Sequence, residues 1–322
     1  LTMILSSISI SIVAFVLMPV PLYMLMGLLV GLSSPPVQSA VRTIYPKMVN
    51  SKQLTPLFAL DASAQEIIWV AGPVITTFIA IQIDPVASIV VALIFLLGGG
   101  TWFILSPEVG RVRIPRSRRT IGKVLGKRPV LLSTITGFLL IGACSAVEAS
   151  VVSAFGHDGA ESGLVLAIFA IGSLVGGLSL GHIPVGPWSM ARRMFLVFVG
   201  MALALASLNF WWLAFALLIA GVGIAPAFAV MSAIVTASVK FSDTAEAYGW
   251  VGTGQLMGAA LGSALAGFLI DAQGATGGFL VAAMFALVGT LFPTVFRRWH
   301  PDLRGKDGSP IPDTEPIQVQ PS

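Results

Sequence analysis

The sequence predicts an all-α, polytopic membrane protein, and three observations lead there. Only 10% of the 322 residues are charged while 56% are hydrophobic, against roughly 25% charged in soluble domains. Mean hydropathy is +0.93, and apolar segments of the length that crosses a bilayer as a helix, about 17–25 residues, recur along the chain. All 18 Lys and Arg fall in alternate connections between those segments, at the helix ends bordering them, or after the last segment.

Ten candidate helices span 2–18, 21–43, 56–81, 86–106, 130–154, 161–181, 193–208, 211–238, 245–270 and 276–296. Connections as short as "PVP" at 19–21 and "IDP" at 83–85 make neighbouring helices antiparallel. The basic residues are Arg42, Lys47 and Lys52, eight between Arg111 and Arg128, then Arg192, Arg193 and Lys240, and finally Arg297, Arg298, Arg304 and Lys306. The intervening connections carry none. The positive-inside bias therefore places the basic connections and both ends of this chain in the cytoplasm, with the helices in the plasma (inner) membrane. Tyr23, Trp211 and Trp212 fall at outer helix ends, and Tyr45, Trp188, Tyr248 and Trp299 near inner ones, as interfacial anchors do. The basic residues thus serve topology, and nucleic acid is not an expected partner in spite of a pI near 9.5.

The longest basic connection, 107–129, divides an N-terminal bundle of four helices (1–106) from a C-terminal bundle of six (130–298). Residues 299–322, polar and Pro-rich, have little to bury and are expected to be disordered. The four-plus-six asymmetry suggests a six-plus-six plan whose first two helices are not in this chain. "GLSSPP" in the second helix and "GVGIAPAF" in the eighth place Pro shortly after Gly in equivalent inward-running helices, and internal repeats of this kind are common in secondary transporters.

With its basic central loop, Gly72-Pro73 in the third helix and the small-residue ninth helix "GWVGTGQLMGAALGSALAGFLID", the chain resembles the major facilitator superfamily over essentially all of 1–300. The "ALDASAQEIIWVAGPV" segment at 59–74 is similar to the fifth helix of bacterial drug and metabolite exporters of that family. The resemblance implies two helical bundles around a cavity that opens alternately to each side, and a fifth candidate helix, carrying Glu148, that lines it. Departures accompany it. The family's loop signature between helices two and three is not in this chain, and its second copy, at 176–194, keeps glycines and Arg192-Arg193 but has no Asp.

Among the acids, Asp61, Glu66 and Glu148 fall well inside candidate helices, and no Lys or Arg lies between 53 and 110. A charged group at mid-bilayer costs about 2.5–3.5 kcal/mol by insertion scales, so acids there usually face a cavity or a partner. All three are candidates for substrate binding or proton coupling; the bland readings are a hydrogen-bonded structural acid for Glu66 and Glu148, and a helix-dipole partner for Asp61. Gly254, Gly258 and Gly262, like Gly172 and Gly176, repeat every four residues and mark faces on which backbones can approach closely.

Other motifs carry less. "GLSLG" at 177–181 has the spacing of a hydrolase elbow but sits inside an apolar helix, not between a strand and a helix. "GTGQLMG" at 252–258 misses the dinucleotide spacing by one residue. His157, His182 and His300 show no metal-ligand spacing, and Trp69 reads as packing. Cys144, the single cysteine, excludes an intrachain disulfide and a thiolate metal cluster. No cofactor and no enzymatic activity are expected. The expected function is secondary active transport of a small solute, as efflux with protons as the coupling ion; the alternatives are an uptake permease or uniporter, or a membrane protein that does not transport.

Overall fold

The computed structural model describes residues 19–33, 37–107, 122–156 and 160–313, with the single positions 10 and 109. The candidate helix 2–18 therefore lies outside the described residues, as do Arg111 to Arg119 of the central connection and 314–322 of the tail. The helices are α1 (Val20–Ser33), α2 (Val37–Met48), α3 (Ser51–Gln82), α4 (Pro85–Leu105), α5 (Arg128–Phe155), α6 (Ala160–Leu180), α7 (Ser189–Ala204), α8 (Phe210–Ser238), α9 (Thr244–Gln273) and α10 (Ala275–Val295). Among the described residues six of these segments are long and apolar enough to cross a membrane, and the one strand-like pairing is an isolated bridge.

Local chemistry fixes the ends. The Asp84 carboxylate accepts from the amides of Val86 and Ala87 at 2.7 and 3.3 Å, with Pro85 at the first position of α4. Asn209 caps α8 by accepting from Trp211 N–H at 3.0 Å. Both are side-chain caps that satisfy amides a helix start leaves without partners. Gly156 and Gly274, at φ of 80° and 70°, end α5 and α9 in a backbone region that glycine enters at little cost.

Where helices run past their apolar stretches, boundaries depart from expectation for one reason. Helix 21–43 was expected to stop at 43, yet α2 runs to Met48 through Pro46, and α3 starts at Ser51 instead of 56. The expected helix 193–208 is α7, Ser189–Ala204. Outside an apolar layer a helix can continue on polar residues, so hydropathy marks where the apolar stretch ends and not where the helix does.

The chain divides into two compact units: Leu1–Ile44 with Ile68–Arg113, and Tyr45–Ile67 with Ile114–Ser322. The boundary falls inside α2 and α3, so residues 45–67, expected in the N-terminal bundle, group with the C-terminal helices. The first unit holds α1, most of α2, the distal half of α3, and α4, whose apolar residues such as Phe95 and Trp102 are exposed at 72% and 80%.

In the second unit α5 packs on α9 and α10, and α8 on α6 and α7. The α5–α9 pair is parallel, and a methyl group at Gly254, Gly258 or Gly262 would strike backbone oxygens of Thr134, Phe138 and Gly142 in turn. The α6–α8 pair is parallel too, with Gly172 and Gly176 against the carbonyls of Leu218 and Val222. Pro226, inside α8, cannot donate to the Val222 carbonyl four residues back. Across the contact, Gly176 presses on that carbonyl, and the buried Ser173 Oγ accepts Ala225 N–H at 3.1 Å. The neighbouring helix thereby gives the amide next to the proline a side-chain acceptor, one of the ways in which apolar surroundings accommodate a helix proline. Residues 59–67 of α3 complete the unit: methyl groups at Gly177 and Gly181 of "GLSLG" would meet Ser63 and Ala59.

Starts of α5, α7 and α9 and ends of α6, α8 and α10 share one end of this unit, where its basic residues gather. There Glu246 accepts Gly122 N–H at 2.7 Å and Lys127 Nζ donates to the Ser238 carbonyl at 3.1 Å, pinning the end of the central connection. The tail is not structureless over 301–313. Leu303 N–H donates to Val185 O at 3.0 Å, and Ile311 and Phe241 exchange backbone bonds with Val239 and Ile311 at 2.9 and 3.2 Å. The expected disorder fails there because the tail's backbone amides find acceptors that its side-chain composition does not reveal.

Gly258→Leu should lower stability by about 1–3 kcal/mol through overpacking, while Gly267→Leu, where a methyl group meets nothing within 4 Å, should stay near the parent. Thermal unfolding in detergent measures both; equal melting temperatures would show that the glycine face is not a tight contact.

Candidate functional site

Glu148 stands on α5, 20 residues past its start at Arg128, which places it about 30 Å along the helix, away from the basic end. It lines an open cavity of about 540 Å³ with Ala149, Val152 and Ser153 of α5 and Ile270 of α9. The cavity sits near the far ends of the parallel α5–α9 pair, beyond Gly262, the last of the three glycines that hold the two backbones together. Glu148 is exposed to that space, and among the described residues no side chain hydrogen-bonds to its carboxylate. The nearby Ser150 hydroxyl is turned back to the Ala146 carbonyl at 2.6 Å and is buried. The cavity therefore offers one carboxylate and the Ser153 hydroxyl within a largely apolar lining.

Asp61 has a different setting. It lies nearly three turns into α3, not a turn and a half, because the helix starts at Ser51. Its two carboxylate oxygens accept from Tyr45 Oη and Gln65 Nε2, each at 2.9 Å. Tyr45 also stacks at a tilt on the buried Phe58, with ring centroids 5.9 Å apart. These contacts make Asp61 a link between α2 and α3 rather than a partner of the α3 dipole. Gln65 was visible at the i+4 position, but Tyr45 had read only as an interfacial anchor.

Glu66 lies in α3, one position beyond Gln65, and its side chain is outside the described residues, as are those of Trp69 and Pro73. Among the described residues, nothing lies within 4 Å of where a methyl group at Gly72 would sit. Asp61 and Glu148 do not come together at one site. Among the described residues no cluster of His, Cys, Asp or Glu could hold a metal ion.

Solved structures share this fold of long apolar helices. The human organic anion transporter MFSD10 (TETRAN) superposes with a TM-score of 0.66 at 13% identity, over 91% of this chain and 75% of that one. A bacterial homologue of the iron transporter ferroportin, in an outward-facing state, gives 0.62 at 13% identity, over 92% and 81%. No curated protein matches the sequence. The class is thus a multi-pass membrane transporter. Residues 146–318 match the model of the Major Facilitator Superfamily, and the chain belongs to that family.

Tyr45→Phe removes the tyrosine's hydrogen bond to Asp61 and should cost about 1 kcal/mol. A melting temperature equal to the parent's would show that the link bears no load.

Proposed function

We propose that the protein is a secondary active transporter that exports a small amphipathic cation by alternating access, with protons as the coupling ion. The observation that carries this is the acid in the apolar cavity. A single free carboxylate among Val152 and Ile270 suits a solute with one positive group and an apolar body, since desolvating the pair in such surroundings strengthens their attraction. It does not suit an organic anion, the substrate class named for MFSD10. Nor do one carboxylate and one hydroxyl make a ligand set for iron, named for the ferroportin relative. Export is supported by the exporter-like segment 59–74. Glu66 is the proposed coupling site: a carboxyl in an apolar helix that meets water on one side at a time can load a proton there and release it on the other. Asp61, held by Tyr45 and Gln65, relays or only braces.

The basic end is proposed to be cytoplasmic, on the distribution of the 18 basic residues. Single cysteines at 84, 209 and 273 in a Cys144→Ala background should react with an impermeant reagent in intact cells, and those at 50, 188 and 310 should not. The reverse pattern would invert the orientation.

Flux in proteoliposomes with an imposed pH gradient tests the rest. Glu148→Gln should reduce uptake of a lipophilic cation such as tetraphenylphosphonium about ten-fold or more, the loss of a buried charge pair. Glu66→Gln should retain downhill flux while abolishing gradient-driven accumulation. Undiminished accumulation in Glu66→Gln would remove Glu66 from coupling; undiminished flux in Glu148→Gln would remove the cavity from the substrate path.

A further inference from the structure

The basic end of the second unit holds a pair of buried groups that transport does not use. His300, 5% exposed, follows the short turn Arg297–Trp299 at the root of the tail. Its Nδ1 donates to the Pro301 carbonyl at 2.8 Å, so in the neutral ring Nε2 carries a bare lone pair. That nitrogen is buried with no hydrogen-bond partner among the described residues. Arg193, 8% exposed in the first turns of α7, donates through a terminal nitrogen to the Ser189 carbonyl at 3.1 Å, while its Nε–H is likewise buried with no partner among the described residues. One group lacks a donor and the other lacks an acceptor, and the guanidinium charge reaches the ring.

We propose that His300 is a proton-operated clasp: neutral, it holds the tail 301–313 on the basic end of the second unit, and protonated, it lets the tail go. The neutral lone pair complements the Arg193 N–H, which one bridging water can join to it. A proton on Nε2 converts that complement into two cations facing each other out of water, which must separate or be hydrated. The tail is the part free to leave. It is held by the Leu303–Val185 bond, by the Ile311 exchange with Val239 and Phe241, and by Asp313, which accepts from Ser242 N–H and Oγ at 3.2 and 2.7 Å.

The other charges nearby leave the sign unchanged. Asp302 favours the protonated ring, but its carboxylate is already engaged by Arg304 Nε and a terminal nitrogen at 2.9 and 2.7 Å, which holds it at about 2. Arg297 lies over the Trp188 ring, 5.1 Å from its centroid. Burial pushes the His300 ring below the ordinary imidazole value; the Pro301 hydrogen bond pulls back by less, and Arg193 then pushes down against a smaller pull from Asp302. A released ring binds a proton more readily than the docked one. Docking is therefore at full strength above the ordinary value of about 6.5 and weakens as pH falls below it.

Release changes more than the tail. Val239–Ser242 loses its added strand, and Phe241, whose ring carries the Lys47 ammonium 4.5 Å from its centroid, loses the bond that positions its backbone. The connection leading into α9 thereby senses protons at the basic end. Only the naming of that side as cytoplasm rests on the topology proposed above.

Spin labels at Ile183→Cys and Pro312→Cys in the Cys144→Ala protein read the docking, since both positions are exposed. At about pH 7.5 one short distance should dominate; at about pH 5 its population should fall about three-fold or more, following the proton linkage. His300→Gln, which offers Arg193 an oxygen but takes no proton, should keep the short distance at both values. A parent distribution unchanged by pH, or a His300→Gln response equal to the parent's, overturns the clasp. Should His300→Gln be released at both values, Arg193→Gln decides: a smaller pH response than the parent's supports the clasp, and an equal one overturns it. None of these readings depends on transport.

Discussion

Helices in an apolar medium gain little by burying apolar side chains, because the surroundings are as apolar as the contact. What remains is how closely two backbones can come, and the second unit is arranged around that limit. Along α5–α9 the approach is set by Gly254, Gly258 and Gly262, each facing a carbonyl or side chain of α5 at four-residue intervals. Along α6–α8 it is set by Gly172 and Gly176, and α3 reaches α6 only where Gly177 and Gly181 leave room for Ser63 and Ala59. The cavity at Glu148 lies past the last of the α5–α9 glycines, so the same tight pairing that closes the middle of these helices leaves space toward their far ends.

The sequence made the long helices legible because an unbroken apolar run of bilayer length has few other uses. It made the glycine faces legible because four-residue spacing nearly matches the helical turn. It could not name their partners: nothing in "GAALG" points to Phe138, since a backbone oxygen looks the same in every residue. The ends of α2, α3 and α7 were misplaced where polar residues extend a helix past its apolar stretch. The tail was misread for a related reason. Leu303 and Ile311 are lone apolar residues in a polar segment, and what docks them is backbone hydrogen bonding, which leaves almost no compositional trace.

The acids show how one residue type takes two settings. Asp61 and Glu148 looked alike as carboxylates in apolar runs. Tyr45, sixteen residues before Asp61, donates to its carboxylate, whereas the carboxylate of Glu148 faces open space with no hydrogen-bond donor among the described residues. The distinction comes from tertiary neighbours: a tyrosine on the next helix in one case, and a turned-away Ser150 in the other. A carboxylate already bound by two donors has less left to offer a solute than one that is bound by none.

The repair around Pro226 bears on how this half of the molecule can move. Ser173 takes the Ala225 amide, and Gly176 sits against the carbonyl that the proline leaves without its donor. Shifting α8 past α6 by one turn, about 5.4 Å, would carry the Ala225 amide away from the Ser173 hydroxyl and the Val222 carbonyl away from Gly176. Sliding between these two helices would cost that bond and that close approach, which favours displacements that carry α6 and α8 together, as a single strut.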